Sequence, residues 1–401
     1  MSDAVTDWAT DYDVLDPAYV RDPFPIWDEL RERCPIARTD RWGGSWLPTT
    51  YAGVTAIARD VERFSSREVG VIPPADGADD GLLPAGVPPI SADPPEHTWT
   101  RRLLLPWFSP NRVLDYEVYT RELCRKLVAG FADAGRADAA VDYAQQIPVR
   151  VIGLVLGVPE ELSDTFTGWV RDVLEFAHDE ERRKRSRNAA IGYFLGEMEA
   201  RRGGVGDDLI SVLLRTEVNG EPVPDGHILG TVALTLIAGV DTTWSAIGSA
   251  LWHLATHAED RRRLVAEPEL MPAAIEELLR AYSPVTMARI VTEDTEVAGC
   301  PMHAGDRIIM NFPAANRDPE AFPDADTVQI DRLHNRHVAF GAGIHRCAGS
   351  NLARMEMRVA VEEWLARIPE FRLDPAGEVT WAGGQVRGPR NIPVLFQSGK
   401  R

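Results

Sequence analysis

The sequence predicts a mainly α-helical protein with a minor β part, folded as one globular unit. Three observations carry that prediction. Apolar residues recur with helical period near 97–108, 114–133, 141–157, 160–177, 187–202, 207–215, 224–256, 258–266, 271–282 and 349–367. Strand-like pieces are short and few, near 46–51, 289–299, 306–312 and 391–396. No composition shift or linker divides the 401 residues, although a length prior of about 150 residues per domain would allow two or three. The expectation is a single domain over 1–401.

In chain order, residues 1–12 are acidic and lack an apolar core, so they are read as a flexible N-terminus, neither signal peptide nor membrane anchor. Helical patterns follow at 23–32 and 54–64. Residues 69–95 carry Pro73, Pro74, Pro84, Pro88, Pro89, Pro94 and Pro95 among glycines, with no periodicity. So long an irregular segment between parts of one core reads as a lid loop. The run Arg182-Arg183-Lys184-Arg185-Ser186-Arg187 lacks interleaved aromatic residues and reads as a solvated helix end.

Composition narrows the function. A net charge of −18 disfavours nucleic acid and anionic membranes as partners. No run of 18 consecutive apolar residues marks a membrane span. Cys34, Cys124, Cys300 and Cys347 show no CxxC spacing, which argues against a zinc knuckle or disulfide scaffold and for a reducing, cytoplasmic setting.

The strongest local signal is Phe340-Gly341-Ala342-Gly343-Ile344-His345-Arg346-Cys347-Ala348-Gly349, followed by the helical run from Ser350. Here a glycine-rich loop holds a cysteine at a helix N-terminus. Such a position favours the thiolate, and Gly341, Gly343 and Gly349 let backbone approach a flat group. A buried cysteine after a turn, a dinucleotide loop lacking its third glycine and a cysteine nucleophile beside His345 are the alternatives. A second signal lies in 224–256, where the apolar run 228–240 ends at Asp241-Thr242-Thr243. A mid-helix acid in apolar surroundings is costly unless partnered or functional. The preceding Ala238-Gly239 leave room for a ligand and are expected to open the helix locally.

These residues resemble cytochrome P450, and the likeness runs from about Asp22 to Phe396. The loop is similar to that family's cysteine-ligand signature, which implies Cys347 as the iron ligand of haem b, with Phe340, Gly341, His345 and Gly349 lining the cofactor. The likeness implies a P450 fold with the haem between the long central helix and this loop. Asp241 and Thr242 match the acid–alcohol pair that delivers protons to bound dioxygen. Glu277 and Arg280, one turn apart, match the structural ion pair, and Arg332 matches its third member. His97, Arg101, Arg289 and His345 match the propionate contacts. The segments Gly43–Pro48, Asp241–Trp244 and Gly384–Arg390 are similar to haem domains of self-sufficient enzymes fused to a flavin and iron–sulfur reductase, and to their stand-alone relatives.

The resemblance thus implies a monooxygenase that inserts one atom of dioxygen into a small to medium apolar or aromatic substrate, by hydroxylation or oxidative dealkylation. Electrons would come from a separate acidic ferredoxin or flavin-type reductase. A basic set near the cysteine (Arg102, Arg112, Arg332, Arg336, His337, Arg346, Arg354, Arg358) could offer the docking face. Rival readings are a peroxide-driven peroxygenase, a haem-thiolate isomerase, or a haem-based sensor or binding module.

Overall fold

The computed structural model describes residues 4–34, 36–73, 83, 86–176 and 178–398. The middle of the expected lid loop, with Asp76, Asp79 and Asp80, lies outside the described residues.

Hydropathy decides what occupies the centre. The helix Asp225–Thr256 is buried on nearly every side from Ile228 to Ala255, as an all-round apolar helix must be. By length and composition it could cross a membrane, but 72% of its apolar window is buried inside the protein. It therefore serves as the core helix. Around it pack Gln146–Leu156, Ser163–Leu174, Glu180–Arg201 and Ser350–Arg367. The last of these also lies along Pro110–Phe131. Tyr143 and Trp364 are buried at that junction with ring centroids 5.1 Å apart, and the Tyr143 hydroxyl donates to the Ala360 carbonyl at 2.8 Å.

Five short strands form one sheet in the spatial order Ile36–Thr39, Ser45–Pro48, Arg307–Met310, Met287–Val291, Phe64–Ser65. The antiparallel pairing of Arg307–Met310 with Met287–Val291 sets Arg289 opposite Ile308, while Arg307–Met310 runs parallel to Ser45–Pro48. A smaller hairpin, Thr380–Ala382 with Gly388–Asn391, lies against the central helix. A Cβ on Gly388 would fall 2.3 Å from the Ser245 Cβ, so glycine permits this close approach of strand to helix.

Several expectations change at element ends. The helix expected from 114 begins at Pro110, because Ser109 accepts the Arg112 N–H and proline suits the first turn. The helix expected over 141–157 is an α-helix only over Gln146–Leu156, preceded by a wider turn at Ala139–Ala144. The strand expected over 289–299 is two, Met287–Val291 and Thr295–Val297, the second folding back on Cys300–Met302.

The N-terminus is not loose from Asp7 onward. Asp7 caps the turn Trp8–Asp11, Arg41 pairs with Asp11 at 2.6 Å, and buried Tyr12 shares a 2.6 Å hydrogen bond with Ser45. The basic run is not simply solvated either. Arg182 and Ser186 both bind Asp172 at 2.6 Å, and the Arg182 guanidinium lies 3.5 Å over the Phe176 ring, clasping two helices together.

Candidate active site

The loop before Ser350–Arg367 is held by its own backbone. The Cys347 N–H donates to the Phe340 carbonyl at 2.8 Å, and the Gly341 N–H to Val338 at 2.9 Å. Gly341 and Gly343 have φ of 73° and 70°, and a Cβ on Gly343 would lie 2.5 Å from the Ala58 carbonyl oxygen. Only glycine meets both demands at position 343.

Burial pushes the Cys347 thiol up, with the Gly349 N–H and the charges of Arg101, Arg346 and Arg354 pulling the other way. The lowering expected from the helix terminus is therefore outweighed by desolvation. A bound metal cation would remove that proton outright. Cys347 is deeply surrounded by protein, yet its surface is open rather than packed. The central helix likewise breaks its burial at Leu234, Ile237, Ala238 and Thr242. A hollow within the protein explains both.

The structure gathers the four residues expected to contact the propionates. The rings of His97 and His345 lie 4.3 Å apart, and His345 Nε2 is 2.9 Å from the Ser66 hydroxyl. Arg289 is 5% exposed and donates to the Ala288 carbonyl at 2.7 Å. Burial draws its pKa down to about 10. Burial, then Arg289, His97 and Arg101, holds His345 down at about 3. His97 Nε2 has no hydrogen-bond partner among the described residues. None of these four residues forms an ion pair with a carboxylate among the described residues. A buried guanidinium without an ion-pair partner is unfavourable; propionates would supply anions to Arg289 and to the half-buried Arg101, and acceptors to the imidazole N–H groups. These residues therefore fit haem.

Asp241 is fully buried. Its Oδ1 accepts from Arg390 Nη2 at 2.7 Å, while Oδ2 has no partner among the described residues. Burial raises its pKa to about 6, opposed by Arg390, with Glu175 adding to the rise. Arg390 also pairs with Glu175, and its Nη1 donates to the Ser245 hydroxyl at 3.0 Å. Thr242 donates its hydroxyl to the Ala238 carbonyl at 2.7 Å. The central helix stays continuous through this turn, contrary to the expected opening. Gly239 does not face an open groove, since a Cβ there would strike Ile152 at 2.4 Å.

The expected ion pair is present and elaborate. Glu277 takes both Arg280 Nε and Nη2 at 2.8 Å, Arg332 Nε at 3.0 Å, the Gln329 N–H at 2.9 Å and Asn335 Nδ2 at 3.1 Å. Arg280 and Glu277 are both fully buried.

Sequence reasoning missed Arg390 as the partner of Asp241, Glu175 as the second carboxylate on that arginine, and Ser66 as the partner of His345. The one usable signal was Gly388 in a strand two residues before Arg390, a mark of close backbone approach.

The sequence profile of the cytochrome P450 family matches residues 170–380. Mycinamicin IV hydroxylase/epoxidase of Micromonospora griseorubida is 34% identical over 378 residues, covering 92% of this chain and 94% of its own. Steroid C26-monooxygenase of Mycolicibacterium smegmatis is 36% identical over 375 residues, covering 92% and 91%. The solved structure of cytochrome P450 CYP109Q5 from Chondromyces apiculatus superposes with a TM-score of 0.87 at 32% identity, covering 98% of this chain and all of that one. The chain belongs to the cytochrome P450 family: it has that family's fold, binds haem b, and is a monooxygenase acting on organic substrates.

Proposed function

We propose that Cys347 is the thiolate ligand of the haem iron, within one catalytic unit spanning the chain. The observation that carries this is the gathering of His97, Arg101, Arg289 and His345 beside the Cys347 loop, with the buried Arg289 guanidinium in no ion pair among the described residues. His97, Arg101, Arg289 and His345 would hold the propionates, and Phe340, Gly341 and Gly349 would shape the loop under the ring. When bound, the haem supplies dioxygen binding and activation, favoured by electron donation from a thiolate.

This chain's residues manage the protons. Arg390 holds one oxygen of Asp241 and leaves Oδ2 available. A pKa of about 6 suits the carboxyl for passing protons near neutrality. The Thr242 hydroxyl, anchored on Ala238, keeps its oxygen lone pairs for a water in the hollow. Glu277, Arg280 and Arg332 support the fold behind the loop and take no part in the chemistry.

The substrate is a neutral, medium-sized apolar or aromatic compound. Trp169, Phe176, Leu234, Val285 and Met287 support this as apolar pocket candidates, as does a relative named for a steroid. Electrons arrive from an acidic ferredoxin or flavin-type reductase. Arg102, Arg336 and Arg346 are exposed and carry no ion pair among the described residues, which supports a docking face smaller than the sequence suggested. Arg354, Arg358 and Arg332 are engaged with Glu276, Glu117 and Glu277. The burial of the apolar central helix and four free cysteines support a soluble, cytoplasmic enzyme.

The test is the carbon monoxide spectrum of the reduced protein. It should show the red-shifted Soret band of thiolate ligation, and Cys347→Ala should abolish that band. Its persistence in the variant overturns the assignment.

A further inference from the structure

One carboxylate holds two side chains against a ring in the cysteine loop. Glu276 accepts Arg354 Nη2 at 2.8 Å and also Arg354 Nε. Its Oε2 further accepts His337 Nε2–H at 3.0 Å. The Arg354 guanidinium lies 4.4 Å from the Phe340 centroid, within cation–π range. The His337 ring lies 5.9 Å from that same centroid. Phe340 is therefore braced by both partners of Glu276, and its carbonyl accepts the Cys347 N–H. His337 Nδ1 accepts from the Ala339 N–H at 3.2 Å, so the imidazole donates through Nε2 alone.

The charges of this cluster reduce to one cation and one anion. Arg354 supplies the positive charge, and its field reaches the Cys347 sulfur. Glu276 supplies the negative one: the hydrogen bonds of Arg354 and His337, with the charge of Arg354, outweigh burial and hold its carboxyl down at about 2. Glu276 immediately precedes Glu277, yet their work is separate, since Glu277 binds Arg280 and Arg332. Arg354 is 29% exposed and Glu276 30%, so the pair is partly shielded from solvent and acts through a medium of intermediate dielectric.

We infer that Glu276 and Arg354 are positioning residues that set the iron's reduction potential, by balancing opposite charges across Phe340 next to the Cys347 loop. The inference rests on Cys347 being the ligand. Its physical content is a sign. Reduction adds an electron to the iron–thiolate unit, so a nearby uncompensated cation favours the reduced form and an uncompensated anion the oxidised form. Removing Glu276's charge and removing Arg354's charge must therefore shift the potential in opposite directions. A brace that only holds the loop in shape would predict shifts of the same sense, or loss of haem, in both.

The experiment is dye-mediated potentiometric titration of the haem-loaded protein without any redox partner, so docking cannot contribute. Glu276→Gln should raise the ferrous-to-ferric ratio at a fixed ambient potential by on the order of tenfold, which is about 59 mV for a one-electron couple. Arg354→Met should lower that ratio by a similar factor. Arg354→Lys, which keeps the charge, and the double variant Glu276→Gln with Arg354→Met should each lie near the unmodified protein. If Glu276→Gln does not load haem, Arg354→Met against Arg354→Lys decides alone. Shifts in one direction, or none, overturn the inference. Loss of the red-shifted carbon monoxide band in Arg354→Met also overturns it, because the effect would then be loss of the ligand. Absence of that band from the unmodified protein instead removes the Cys347 assignment itself.

Discussion

Replacing Arg390 by Met should change the acidity of Asp241 and, through it, the pH dependence of the enzyme. The pair has an N–O distance of 2.7 Å with side chains 8% and 0% exposed. Charge centres about 4 Å apart at an effective dielectric of about 20 interact by about 4 kcal/mol. That corresponds to roughly a thousandfold change in the acid dissociation constant of Asp241. The direction is upward, since the lost guanidinium stabilised the carboxylate, and Glu175 remains to repel it. Asp241 already has a raised pKa of about 6 against an ordinary 3.8. The folded protein thus holds this proton more tightly than the unfolded chain. Its contribution to stability falls as pH rises from about 4 to about 6, then levels off. In Arg390→Met the decline should continue through neutrality, by up to about 1.4 kcal/mol per pH unit. Urea unfolding at a series of pH values reads this directly. Product formation near neutrality should fall at least tenfold, within the range of roughly 10²–10⁴ attributed to positioned acid–base groups, and recover partly towards higher pH. Arg390→Lys should keep most of both properties. A variant whose stability and turnover profiles superpose on those of the unmodified enzyme would refute the role given to Arg390 and Asp241.

Thr242→Ala should leave haem spectra and substrate binding near normal while diverting electrons to hydrogen peroxide; an unchanged ratio of product to reductant consumed would reduce Thr242 to a helix-packing residue. Glu277→Ala strands Arg280, which is fully buried, and should cost about 3–5 kcal/mol; a thermal midpoint no lower than that of an exposed control substitution would contradict this. Charge reversal at Arg102 and Arg346 should slow reduction by an acidic donor and flatten its decline with salt; stopped-flow rates indifferent to both changes would exclude this face.

Much of the site was legible because its chemistry is local in the chain. Cys347, its glycines and the following helix occupy consecutive positions, as do Asp241 and Thr242. Glu277 and Arg280 meet because residues three apart share a helix face. The central helix announced itself by hydropathy alone. Interactions across the chain were legible only where the family resemblance carried them, as for Arg332 on Glu277, and not otherwise. Arg390 reaches Asp241 over 149 residues, Ser66 reaches His345 over 279, and Arg354 reaches Glu276 over 78. No local pattern distinguishes such an arginine from one on the surface.

The sequence by itself determined the helical class, the glycine-rich cysteine loop with its following helix and the one-turn spacing that lets Glu277 and Arg280 pair, because each follows from periodicity or short spacing; the roles of Asp241 and Thr242 followed from the family resemblance. Tertiary structure decided how those groups are tuned. It set the Cys347 thiol above rather than below its ordinary range, since desolvation depends on what surrounds the loop and outweighed the helix terminus. It kept the central helix closed at Ala238 and turned Gly239 towards Ile152. It also chose which arginines are engaged internally and which remain free, because charge pairing is a property of distance in space, and spacing along a folded chain does not report it.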